Sequence, residues 1–354
     1  MSLLRVEDLS VEYVTDGRRR QVLEDVSFDV DRGEVLGIVG ESGCGKTTLA
    51  RALARLLPRG GKVTAGNIWL DDRDVLTMTE KEFRPYRWDR ISMVFQGAMS
   101  VLNPVFPVGK QVSEAIRTHR HDLSRSEAME KSRDLLVKVG IDADRANSYP
   151  HEMSGGQKQR VIIAMAMALS PDIVIADEPT TALDVVTQDS VLDELVTVQR
   201  REGFSLILIS HDMGVIAETC DRVAVLYAGH LVELGSVGEI FNRPAHPYTQ
   251  GLINAIPKLG AVTEAVSIPG APPAEPGLIT GCRFAPRCPF REAQCAGVPP
   301  WHDLSPDHGE LCFFPERADT FRERARLVAT WESVTERRAQ ALTTAGNVTE
   351  SEEP

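Results

Sequence analysis

Apolar and polar positions change their period several times along the chain, and each change predicts an element. "LLRVEDLSVEYV", residues 3–14, alternates in part, as a half-buried strand does. "SFDVDRGEVLGIVG" closes in an unbroken apolar run ending at Gly40, as a strand buried on both faces does. Residues 3–39 therefore read as strands leading into a glycine-rich loop. "KTTLARALARLL" at 46–57 has helical spacing, and residues 110–165 follow a mostly helical pattern. Two further buried strands follow, "DIVIAD" at 172–177 and "SLILIS" at 205–210, with the helical stretch 187–203 between them. This alternation predicts an α/β fold with a largely parallel sheet and a helical insertion near 97–160.

The pattern weakens after residue 250. Residues 268–281 are rich in Pro and Gly and read as an extended connector. Residues 316–341 have the spacing of one amphipathic helix, and the last dozen residues are small and polar, a composition expected to be disordered. The organisation expected is a main domain over 1–250, a C-terminal extension over 251–330, and a helix end and tail over 331–354.

No apolar run approaches the ~20 residues of a membrane helix. The start, "MSLLRVEDLSVEY", lacks the basic residues, apolar run and cleavage site of a signal peptide. The chain is thus expected to be soluble and cytosolic, where thiols stay reduced. Its net charge of −12 argues against nonspecific nucleic-acid binding, which needs a basic face.

"GESGCGKT", Gly40, Glu41, Ser42, Gly43, Cys44, Gly45, Lys46 and Thr47, has the G-x-x-x-x-G-K-[ST] spacing after a strand and at a helix start. Glycines let such a loop turn its N–H groups toward phosphate oxygens, and the helix N-terminus adds partial positive charge. Lys46 is placed to reach the β- and γ-phosphates of a nucleotide, and Thr47 to hold Mg²⁺. In "DIVIADEPTTALD", Asp177 ends a buried strand, placed to bind Mg²⁺ through water. Glu178 beside it is the natural general base for a water attacking the γ-phosphate.

Between these motifs lies "MSGGQKQR", residues 153–160. Together with "VFQ", "IADEPTTALD" and "LISHDM", the set resembles the ATP-binding cassette (ABC) ATPases over residues 3 to about 240. The family's signature usually opens with Leu, and Met153 takes that place here, a change of similar volume. The resemblance implies an ABC-type P-loop core with an antiparallel β subdomain and a helical subdomain. It implies that Tyr13 stacks on adenine and that Gly40 to Thr48 cradle the phosphates of ATP. Gln96 would contact Mg²⁺ and the attacking water, and His211 the γ-phosphate. Ser154, Gly155, Gly156 and Gln157 would close over a nucleotide held by another ATPase subunit, with Asp184 in the loop crossing the dimer.

"VFQGAMSVLNPVFPVGKQVSEAI" and "HPYTQGLINAIP" resemble the peptide and nickel importer ATPases, and the tail "IPGAPP…GCRFAPRCP…C…C" their di- and oligopeptide branch. This resemblance implies an ATPase at the cytoplasmic face of the membrane. Its partners would be two permease subunits, an extracytoplasmic binding protein and a second, non-identical ATPase. Short oligosaccharides or nickel are alternative cargoes. A soluble ABC ATPase acting on DNA or ribosomes, and a metal-binding regulator with an inactive ATPase, are the competing classes; one cassette, the acidic charge and the intact Lys46, Asp177, Glu178 and His211 count against them.

Four of the six cysteines, Cys282, Cys288, Cys295 and Cys312, follow the spacing C-x₅-C-x₆-C-x₁₆-C. Four thiolates in a reduced compartment suit zinc or an iron–sulfur cluster, although the C-x₂-C knuckle of structural zinc is missing. The family resemblance implies a 4Fe–4S cluster, with zinc, or free or disulfide-bonded thiols, as alternatives. Arg283, Arg287 and Arg291 read either as counter-charges for a cluster or as solvated surface. Lying more than a hundred residues beyond Asp177 in sequence, and with no motif that needs an electron, the segment reads as a structural brace against the partner ATPase.

Overall fold

The computed structural model describes residues 2–181, 183–256 and 266–335. Two sheets organise it. The first is antiparallel, in the order β2-β1-β4-β5, and comprises β1 (Ser2–Thr15), β2 (Arg18–Asp31), β4 (Gly61–Leu70) and β5 (Arg73–Asp74). The second has eight strands in the order β11-β12-β10-β9-β3-β8-β7-β6. Its parallel part is β9 (Arg222–Tyr227), β3 (Val35–Val39), β8 (Ser205–Ile209), β7 (Ile173–Asp177) and β6 (Ile91–Val94). β10 (His230–Ser236), β12 (His308–Leu311) and β11 (Trp301–Ser305) extend it antiparallel.

The apolar strands are buried on both faces, as their unbroken hydrophobicity requires. Alternate residues enter different cores. Leu36, Ile38, Ile173, Ile175, Ile207 and Ile209 pack with the antiparallel sheet and the helix Lys46–Leu53. Val35, Val39, Val174, Ala176, Leu206 and Leu208 pack on the other face, with the helical insertion and the C-terminal segment. That insertion carries the helices Val108–His119, Arg125–Lys138 and Gly155–Ala166, as its sequence pattern predicts.

The C-terminal segment joins the main sheet: β12 hydrogen-bonds to β10, pairing Glu233 with Glu310. The single helix expected over 316–341 is broken: Ala318–Ala325 ends at a turn, and a second helical run covers 328–335. Trp331 explains the break, because its indole N–H donates to the Ala325 carbonyl and its ring packs closely on Gly251. The rest of that predicted helix, and the tail expected to be disordered, lie outside the described residues. No described helix is long and apolar enough to cross a membrane.

Full burial of the strand side chains sets an energetic scale. Ile207→Ala should cost about 2–5 kcal/mol, because the sheet backbone cannot collapse into the space left. Val186, 79% exposed on the helix Val185–Glu202, should tolerate alanine within about 0.5 kcal/mol. Urea midpoints of the two variants check the contrast.

Candidate functional site

The phosphate loop joins β3 to the helix Lys46–Leu53. Its glycines are required: Gly40 has φ 148°, and a Cβ there would stand 2.2 Å from the Leu226 carbonyl oxygen. Gly45 caps the helix at φ 115°. The Lys46 ammonium is buried and donates to the carbonyls of Gly40 (2.6 Å) and Glu41 (3.1 Å), curling back over its own loop. Cys44 is a buried packing residue whose thiol is pushed up by burial; its carbonyl accepts the Gly229 N–H at 2.9 Å.

Asp177 ends β7 beside β8 and stands across from the loop. Thr47 Oγ1 donates to its Oδ1 at 3.2 Å. Burial pushes the Asp177 carboxyl up, and the neighbouring Glu178 carboxylate adds to this; the Thr47 hydroxyl, Arg51 and Lys46 oppose it. A dehydrated carboxylate and a hydroxyl facing each other at a helix start are suitable oxygen donors for Mg²⁺.

Glu178 sits just beyond the strand in a left-handed conformation, φ 46°, while its N–H still donates to Ile209 at 3.0 Å. Strain of this kind at a non-glycine residue gathers at functional sites. Three side chains surround its carboxylate: Gln96 Nε2 donates at 2.7 Å, Thr181 Oγ1 donates at 3.2 Å, and His211 Nδ1 lies 3.6 Å away. The sequence singled out Gln96 and His211 but missed Thr181, whose hydroxyl also donates to the Glu178 carbonyl. Its only signal was its place in "DEPTT".

A second group lies at two helix starts. Ser154 caps Gly155–Ala166 through a reciprocal box with Gln157, and Asp184 caps Val185–Glu202, accepting from the N–H and hydroxyl of Thr187. A Cβ on Gly156 would stand 2.6 Å from Thr187 Cγ2, so glycine lets these helices meet. Tyr13, on β1, lines an open cavity of about 1260 Å³ together with Gly43 of the phosphate loop. Glu275 to Leu278 of the connector line it too.

The four cysteines converge. Cys282, Cys288, Cys295 and Cys312 line one small, largely apolar cavity of about 20 Å³ walled by Phe284, Phe290 and other aromatic rings. Burial pushes the Cys282 and Cys288 thiols up, and that of Cys312 to about 12. Yet among the described residues no group of three or more His, Cys, Asp or Glu side chains is arranged to hold a metal ion. The metal expected at this segment thus has the ligands gathered but not the coordination geometry. Of the neighbouring arginines Arg291 is exposed, as solvated surface would be, whereas Arg283 and Arg287 are buried and pair with Glu24 and with Glu41 of the phosphate loop.

Residues 23–181 match the ABC transporter family, and residues 232–295 match the oligopeptide/dipeptide transporter C-terminal region. The dipeptide transport ATP-binding protein of Bacillus subtilis is 43% identical over 322 residues, covering 89% of this chain and 95% of that protein. The oligopeptide transport ATP-binding protein of Salmonella typhimurium is 42% identical over 316 residues, covering 88% and 94%. Among solved structures, a dimeric ATP-binding cassette in a post-hydrolysis state with ADP and Pi superposes with a TM-score of 0.59 at 27% identity, over 66% of this chain and 98% of that one. These matches extend over nearly the whole of the relatives, and they include both the nucleotide site and the cysteine segment; the chain belongs to the ABC transporter family of ATP-binding proteins and carries the oligopeptide/dipeptide transporter C-terminal region.

Proposed function

We propose that this chain is the ATP-hydrolysing subunit that energises import of di- or oligopeptides through a membrane transporter. The observation that carries the reading is the meeting of Thr47 with Asp177, and of Gln96, Thr181 and His211 with Glu178, at the ends of adjacent strands. The relatives' names supply the cargo. Partners on this reading are two permease subunits, an extracytoplasmic binding protein and a second, non-identical ATPase, with the chain at the cytoplasmic face of the membrane.

The roles follow from chemistry. Loop N–H groups and Lys46 bind the phosphates, and Lys46 only has to turn from its loop carbonyls to do so. Thr47, Asp177 and Gln96 hold Mg²⁺, which offsets phosphate charge. Glu178 takes the proton from the attacking water, oriented by Gln96 and Thr181; His211 holds the γ-phosphate side. Tyr13 stacks on adenine across the cavity it shares with Gly43. Ser154 to Gln157 and Asp184 close over the nucleotide of the partner ATPase, so ATP binds the halves together and hydrolysis parts them. In this division residues 1–250 bind nucleotide, with the helical subdomain at about 97–160, and the segment from 251 supports them.

We further propose that the four cysteines hold a 4Fe–4S cluster. Supporting it are their common cavity and the backbone N–H groups of Phe284, Phe290 and Phe314, which face Cys282, Cys288 and Cys312 and suit thiolates. Such a cluster would supply a covalent cross-link among distant parts of the segment.

Two outcomes are expected. In the assembled transporter, Glu178→Gln should lower turnover by about 10²–10⁴ while retaining bound ATP, because the phosphate and Mg²⁺ ligands remain. Retained nucleotide and phosphate release, measured on one preparation, check this; normal turnover would remove Glu178 from the role of base. Protein purified without oxygen should be brown and contain iron and acid-labile sulfide, and Cys288→Ser should bleach it. Colourless protein with stoichiometric zinc would overturn the cluster in favour of zinc.

A further inference from the structure

The cysteine segment and the phosphate loop touch. Arg287, adjacent in sequence to Cys288 and 2% exposed, makes a two-pronged ion pair with Glu41, the second residue of the loop. Its Nη1 lies 2.5 Å from Oε2, and its Nη2 2.9 Å from Oε1. The rest of the guanidinium is spent on the connector: Nε donates to Pro269 at 3.0 Å, and Nη2 to Gly270 at 3.0 Å and Ile268 at 3.3 Å. Tyr227 flanks it, with its hydroxyl 3.4 Å from Nη1. Tyr248 meets the same loop residue from the other side, its hydroxyl accepting the Glu41 N–H at 3.0 Å.

A carboxylate in an anion-binding loop opposes phosphate, and the opposition is strongest where burial lowers the dielectric. An arginine fork both cancels that charge and fixes its direction, which a lysine cannot do as well. We propose that Arg287 is a positioning residue for the ATP site: through Glu41 it sets the affinity of the phosphate loop for nucleotide, and so makes that affinity depend on the packing of the four-cysteine segment. The inference rests on the ATP-binding reading above and adds a route by which the C-terminal segment acts on the same site.

The test is titration of the full-length chain with mant-ATP and Mg²⁺. Arg287→Ala should raise the Kd on the order of tenfold or more. Arg287→Lys, which keeps the charge but loses the fork, should fall between. Adding Glu41→Gln to Arg287→Ala should restore most of the affinity, because no carboxylate remains to oppose phosphate. A residue that merely supports the fold would give no such rescue. In the assembled transporter the KM for ATP should rise while kcat changes little. Cys288→Ser should weaken mant-ATP binding in the same direction and add little in the Arg287→Ala background. An Arg287→Ala chain that binds within twofold of wild type overturns the proposal, as does a double variant that binds as poorly as the single one. An additive Cys288→Ser effect overturns the link to the cysteines. If Arg287→Ala does not fold, Arg287→Lys decides, and an unchanged Kd overturns it. A wild-type chain that binds no mant-ATP overturns the ATP-site reading itself, whereas tight binding by both wild type and Arg287→Ala overturns this inference alone.

Discussion

The rest of the structure depends on keeping a loop of bare backbone open at the end of a buried strand. Three of the loop's eight residues are glycine, so much of its shape is held by its surroundings. The Leu226 carbonyl presses on Gly40, the Gly229 N–H binds the Cys44 carbonyl, Tyr248 takes the Glu41 N–H, and Lys46 closes the loop from within. Leu226 and Gly229 arrive because β9 lies beside β3 in the sheet, and Tyr248 comes from the helix Pro247–Asn254 that follows β10. The same strand order brings β7 next to β8 and so sets Asp177 and Glu178 opposite the loop. Open α/β sheets place ligands at such strand ends for the same reason.

How far this could be read from the sequence follows the range of the interactions. Buried strands and the phosphate loop are written in short strings, because strand burial and glycine turns are local. Gln96 and His211 were named through their motifs, and the structure brings both to Glu178. Tyr248 and Arg287 were visible as residues but not as neighbours of the loop, because they stand 207 and 246 positions along the chain from Glu41. No periodicity records a contact of that range. The cysteine segment, which reads as a brace against the partner ATPase, also borders the phosphate loop through Arg287 and Glu41.

The hairpin of β11 and β12 escaped notice for a different reason. Its strands are short and carry His302, Asp303, His308 and Glu310, which mask the alternation that marks a strand. The break after Ala325 was hidden because the helical spacing continues through it, and only the Trp331 indole hydrogen bond shows why the chain turns there.

The attachment of β12 to β10 bears on how the chain survives damage. A sheet edge left bare offers a row of unpaired main-chain groups to any passing strand. With the hairpin in place, the outermost strand is the short β11, whose five residues include Asp303 and which offers little length for such pairing. A chain clipped in the proline-rich connector would lose this cover and present β10, nearly all of whose residues are buried, as a new sticky margin. The C-terminal hairpin thus doubles as a guard against self-association. Proteolysis there would convert a folded subunit into an aggregation seed, even with every phosphate-binding residue intact.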